Sequence, residues 1–96
     1  MIYEKKLHSF ADIAKELAIL DLDAGIRALG KYKGKKCFVF VTRSANGFTS
    51  LLYSIRSSKK ESLPDKRLFA KEFPDLKATE EFLAQVVAKP VKASAY

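Results

Sequence analysis

The sequence predicts a two-layer α+β domain: a three- or four-stranded antiparallel sheet built around a central β-hairpin over residues 37–56, with helices packed on one face. Three observations carry that expectation. Phe10, Ile13, Ala14, Leu17 and Leu20 recur at helical spacing near the start of the chain, and Ala78, Phe82, Leu83, Val86 and Val87 do so near its end. Between them, Cys37 to Arg43 is a dense β-branched and aromatic run, followed by Asn46-Gly47, a strong hairpin signal because both central positions of a type I′ turn need positive φ. At 96 residues and 48% apolar content, the chain has material for one core and needs no disulfide or metal to fold.

The elements follow in order. Ile2 to Leu7 alternates in the manner of a short edge strand. Ser9 is placed to cap a first helix reaching Leu20, and Asp12, three residues on, puts a carboxylate at the positive end of the helix dipole. Asp23 reads as the cap of a second, short helix carrying Ile26 and Leu29 and ended by Gly30 and Gly34, which leaves Lys31, Lys33, Lys35 and Lys36 in a loop. A two-residue turn at Asn46-Gly47 pairs Arg43 with Ser50, Val41 with Leu52 and Phe40 with Tyr53. Because faces alternate along a strand, Phe38, Phe40, Thr42, Leu51, Tyr53 and Ile55 share one face, and Cys37, Val39, Val41, Arg43, Ser50, Leu52, Ser54 and Arg56 share the other. The first is the expected core, so truncation of Phe40 or Leu51 to alanine is expected to cost about 2–5 kcal/mol. The second mixes Val and Leu with two arginines and two serines and is expected outside, or only partly covered. Ser57 to Asp65 reads as a polar loop and Arg67 to Phe73 as a third main strand, with either Leu68 and Ala70 or Phe69 and Phe73 facing inward. The last helix stops before Pro90, so residues 1–90 form the domain and 91–96 a tail.

Charge narrows the partner class. No acidic residue lies between Asp23 and Glu61, a stretch holding nine basic ones, while the flanking segments sum close to zero; the net charge of +7 is therefore central. Clustered cations attract polyanions. The residues expected to contact phosphate are Lys31, Lys33, Lys35, Lys36, Arg43, Arg56, Lys59 and Lys60. Charge reversal at Arg43 and Arg56 is expected to abolish association without unfolding the chain. Phe48, Phe69 or Phe73 would supply base stacking if presented from strands. Val39, Val41 and Leu52, with Phe48 beside the turn, would suit a protein interface flanked by arginines. The expected partners are RNA or DNA, a nucleoprotein complex or an acidic protein patch, and a homodimer is an allowed arrangement.

Catalytic and cofactor chemistry finds little support. His8 is the only histidine and Cys37 the only cysteine, so the sequence offers neither a metal-ligand set nor a Cys/His nucleophile pair. Asp21 and Asp23 sit where helix-capping acids belong, and Glu80 and Glu81 point about 100° apart on a helix. The segment Gly30-Lys31-Tyr32-Lys33-Gly34-Lys35 lacks the spacing of a phosphate-binding P-loop. No cofactor and no catalytic residue are expected. The unpaired Cys37 fits a reducing compartment, and the longest apolar run, Cys37 to Val41, is far too short to span a bilayer, so a soluble, cytoplasmic protein is expected.

Two resemblances bear on function. The expected order of strand, two helices, antiparallel strands and helix, together with the basic charge, resembles the small RelE-like toxins, which implies metal-independent cleavage of messenger RNA; Arg43, Arg56, Lys59 and Tyr53 are the residues such chemistry would recruit, with no catalytic position assigned. A compact α+β chain of this size without catalytic groups also resembles in kind the phage-encoded anti-CRISPR proteins, which implies a stoichiometric inhibitor or adaptor. The RNA-recognition motif is excluded, because Lys35 to Val41 lacks the Gly after its basic residue and the aromatic at position 41. The leading expectation is a small non-catalytic binding protein that engages nucleic acid or a nucleoprotein complex through a basic hairpin face.

Overall fold

The computed structural model describes residues 5–22, 24–57 and 62–96. The chain runs β1 (Lys5–Leu7), α1 (Phe10–Ala18), β2 (Gly25–Tyr32), β3 (Lys35–Ser44), β4 (Gly47–Ser57), β5 (Ser62–Phe73), α2 (Leu76–Val86) and β6 (Ala93–Ala95). All six strands form one antiparallel sheet in the order β1-β6-β2-β3-β4-β5. The expected sheet of three or four strands is therefore too small.

Two segments account for the difference. The expected second helix is β2: Ile26, Ala28 and Gly30 are buried while Arg27 and Lys31 are exposed, a period of two. Lys33 and Gly34, at φ 52° and 80°, make the two-residue turn with positive φ at both positions, and Tyr32 pairs with Lys35 across it. The lysines expected in a loop thus flank a hairpin turn, and Asp23, expected to cap the helix, lies outside the described residues. With one helix before the meander, the element order behind the RelE-like resemblance does not hold. The expected tail supplies β6, which sits inside the sheet between β1 and β2.

The first and last of the expected helices form where the sequence places them. Ser9 Oγ accepts from the Asp12 amide at 3.1 Å, and the Asp12 carboxylate accepts from the His8 amide at 3.0 Å. That backbone hydrogen bond holds the Asp12 carboxyl below its ordinary range. Asp75 caps α2 in the same way, accepting from the Ala78 amide at 2.8 Å.

Both helices lie on one sheet face, and it is the face opposite to the expected core. Cys37, Val39, Val41 and Leu52 are at most 1% exposed, whereas Phe38, Phe40, Leu51, Tyr53 and Ile55 are half-buried on the uncovered side. Small and branched side chains let the helices approach the sheet, and Gly30 allows the closest contact: a β-carbon there would collide with the Val86 carbonyl oxygen and the Val39 side chain. Phe69 and Phe73 also face the helices, Phe82 of α2 stacking on Phe69 at 5.2 Å and meeting Phe73 at 5.0 Å. The turn between β3 and β4 is Ala45-Asn46, with Ser44 opposite Gly47 and Arg43 opposite Phe48 instead of Ser50. A two-residue shift keeps every side chain on its face, so hydrophobic patterning alone does not choose between the registers.

One polar group is stranded in this core. Ser50 is 0% exposed and its hydroxyl has no hydrogen-bond partner among the described residues. Ser50→Ala should raise stability by about 1 kcal/mol, read as an upward shift of the urea midpoint at constant m-value. An unchanged or lower midpoint would show that the hydroxyl is satisfied in solution.

Candidate nucleic-acid interface

The uncovered sheet face carries an aromatic ledge. Along β3, Phe38 and Phe40 point outward two residues apart with ring centroids at 6.2 Å, and Tyr53 of β4 meets Phe40 edge-on at 5.6 Å. The register sets Leu29 beside Phe38, Leu51 beside Phe40 and Arg27 on the far side of Phe40. Tyr96 closes one end: its backbone exchanges hydrogen bonds with Gly25 at 2.9 and 3.0 Å, and with Phe40, Thr42, Leu51, Tyr53, Pro64 and Asp65 it borders a depression of about 400 Å³. Burial pushes the Tyr96 phenol up, and the nearby Arg27 guanidinium partly opposes that shift.

Cations gather beside the ledge in two adjoining clefts. The first, about 330 Å³, is lined by Lys6, His8, Arg27, Phe38 and Lys92 together with the backbone and apolar side chains of β1, β2 and β6. The second, about 300 Å³, is lined by Lys31, Lys36, Lys89 and Lys92 with Leu29, Gly30, Ile55, Ala88 and Pro90. They share Leu29 and Lys92, and among the described residues no carboxylate lines either. The lysines arrive by different routes. Lys31 and Lys36 are opposite each other in the β2–β3 pairing. Lys89 and Lys92 ride on the segment after α2, held to β2 on both sides of one residue: the Ala88 amide donates to the Leu29 carbonyl and the Leu29 amide donates to the Lys92 carbonyl, each at 3.0 Å.

The residues named from sequence fall into separate groups. Lys31 and Lys36 line the second cleft. Lys33 sits in the turn with its ammonium 5.4 Å from the Tyr32 ring, and Lys35 is exposed at the strand end. Arg43 lies at the other end of β3, where its guanidinium stands over the Phe48 ring at 4.9 Å, beside the start of α2. Eight residues of strand separate it from Lys35, about 26 Å. The backbone of Arg56 pairs with Leu63 in β4–β5, and Lys59 and Lys60 lie outside the described residues. The expected interface of Val39, Val41, Leu52 and Phe48 is corrected outright: all four are at most 3% exposed, packed under the helices. Phe48, Phe69 and Phe73, considered for stacking, belong to that same covered side.

Sequence reasoning passed over Phe38, Phe40 and Tyr53 as a surface, and Lys6, Lys89 and Lys92 as a cationic group. The available signal was the strict alternation of Phe38 and Phe40 with the smaller Cys37, Val39 and Val41, which marks two unlike faces without saying which is covered.

Other chemistry is thinly represented. Cys37 is fully buried, and burial pushes its thiol up, away from the reactive thiolate. Among the described residues there is no group of three or more His, Cys, Asp and Glu placed to hold a metal ion, and no helix is long and apolar enough to cross a membrane. Comparison with protein families, with characterised proteins and with solved structures finds no match to this chain.

Proposed function

We propose that this protein binds single-stranded nucleic acid across the uncovered sheet face, with bases on the Phe38, Phe40 and Tyr53 ledge and the sugar-phosphate chain along the two basic clefts. The observation that carries the reading is the joining of a contiguous aromatic surface to clefts lined by Lys6, Arg27, Lys31, Lys36, Lys89 and Lys92 and, among the described residues, by no carboxylate. Unpaired bases stack on aromatic side chains presented by strands, while cations follow the backbone. A broad sheet face of this kind offers nothing to enter a duplex groove, whereas splayed bases lie flat on it. A second copy is a weaker occupant: face-to-face pairing would bring two one-signed basic rims together.

Fluorescence anisotropy with labelled single-stranded RNA, single-stranded DNA and duplex DNA, at low and near-physiological salt, tests this. Both single strands should outcompete the duplex, and affinity should fall steeply with salt. Phe38→Ala with Phe40→Ala should weaken single-strand binding by about 1–3 kcal/mol for each base unstacked, in a protein that still unfolds cooperatively. Equal affinity for duplex, or indifference to the double substitution, would reject the ledge as the binding surface.

A further inference from the structure

We infer that the cleft lined by Lys31, Lys36, Lys89 and Lys92 receives a terminal phosphate monoester of the bound strand, so that the protein prefers phosphorylated strand ends to hydroxyl ends. The inference rests on the single-strand reading above and adds the class of end that is recognised.

Charge is the first argument. Four lysines from three separate segments line a cleft of about 300 Å³, and the described lining contains no acid. A bridging phosphodiester presents a single negative charge, but a terminal monoester carries about −1.5 to −2 at pH 7 and three acceptor oxygens. Four donors match the second group.

Position is the second argument. Lys36 and Phe38 lie two residues apart on the same face of β3, about 7 Å along the strand. A nucleotide stacked on Phe38 therefore has its phosphate within reach of the cleft. The platform is one-sided: Phe40 and Tyr53 lead away from the cleft, and Tyr32, the nearest aromatic on the turn side, packs towards Phe69 on the helix face. Bases have a surface on one side of the cleft only, as a strand terminus requires.

Rigidity is the third. The two hydrogen bonds that pin residues 88–92 to Leu29 fix the backbone carrying Lys89 and Lys92, and Gly30 lets that segment lie directly against β2, where Val87 bridges to it. The lysine stems start from held positions, which reduces the ordering cost of binding.

The test uses one single-stranded sequence in three forms, with hydroxyls at both ends, with a 5′-phosphate and with a 3′-phosphate, titrated by anisotropy at near-physiological salt. One phosphorylated form should bind about tenfold tighter than the hydroxyl form, the equivalent of one further charge-assisted hydrogen bond. The form preferred identifies the end. In Lys36→Ala with Lys89→Ala the advantage should vanish, with the thermal transition unchanged. Equal binding of all three forms, while Phe38→Ala still weakens each of them, overturns terminal-phosphate recognition and leaves the single-strand reading intact. Retention of the advantage in the lysine variant overturns the assignment to this cleft, and absence of binding by every form overturns both readings.

Discussion

Leu52→Ala should lower the free energy of unfolding by about 2–5 kcal/mol, while Leu51→Ala, the next residue on β4, should cost only about 1 kcal/mol. Leu52 is 0% exposed in the layer between sheet and helices, and Leu51 is half-buried beside Phe40 on the uncovered face. Two leucines of equal intrinsic strand preference thus differ only in which way the pleat turns them. Urea denaturation of the two variants reads the difference directly, as a large drop in midpoint for one and a small drop for the other at similar m-values. For a chain of 96 residues the larger loss amounts to a fall in Tm of about 8 °C or more. The opposite order would place the helices on the Phe38 and Phe40 side and would remove the ledge as a surface altogether.

That single choice of face decided how much of the protein was legible in its sequence. The alternation in Cys37 to Arg43 and the facing groups across the hairpin are readable from the residues, and the groups hold from Cys37 to Ser54 even though the turn falls at Ala45-Asn46. Which group is buried is not readable from side-chain size. Aromatics usually favour the interior, but here the helices close on Cys37, Val39, Val41, Phe48 and Ser50, and the rings of Phe38, Phe40 and Tyr53 are left on the other side. Similarly, Ile26 and Leu29 are three apart and fit a helix, while the residues that would have shown a strand, Ala28 and Gly30, contribute almost no hydrophobic signal. Ala93-Ser94-Ala95 is quieter still. Its place between β1 and β2 comes from backbone pairing, which composition does not register. The cap at Ser9 was legible because a cap is a local event, set by a side chain and an amide three residues on.

The basic stretch was equally visible, yet its linear continuity says little about its arrangement in space, and charge reversal separates the parts. Lys36→Glu with Lys92→Glu should reduce single-strand affinity at near-physiological salt by at least about 100-fold, since two attractive contacts of about 1.5–3 kcal/mol each become repulsive. The plot of log affinity against log salt should also flatten by about 1.4, two phosphate contacts at 0.7 each. Lys36 lines the second cleft and Lys92 lines both, and the two are exposed, so the thermal transition should hold or rise as like charges are relieved. Arg43→Glu should behave in the opposite way. Its guanidinium stands over Phe48 on the helix face, the opposite side of the sheet from the ledge, and about 23 Å along β3, nearly three Debye lengths, from Lys36 of the second cleft. Loss of that cation–π contact should cost about 0.5–1 kcal/mol of stability and leave the affinity and its salt slope nearly as they were. If Arg43→Glu weakened binding as severely as the lysine pair, the nucleic acid would have to cross the edge of the sheet at the β3–β4 turn, and the ledge would be only part of its path. If the lysine pair had no effect while Arg43→Glu abolished binding, the site would lie on the covered side, near the start of α2, where the charge density is lower but the cation is held in place.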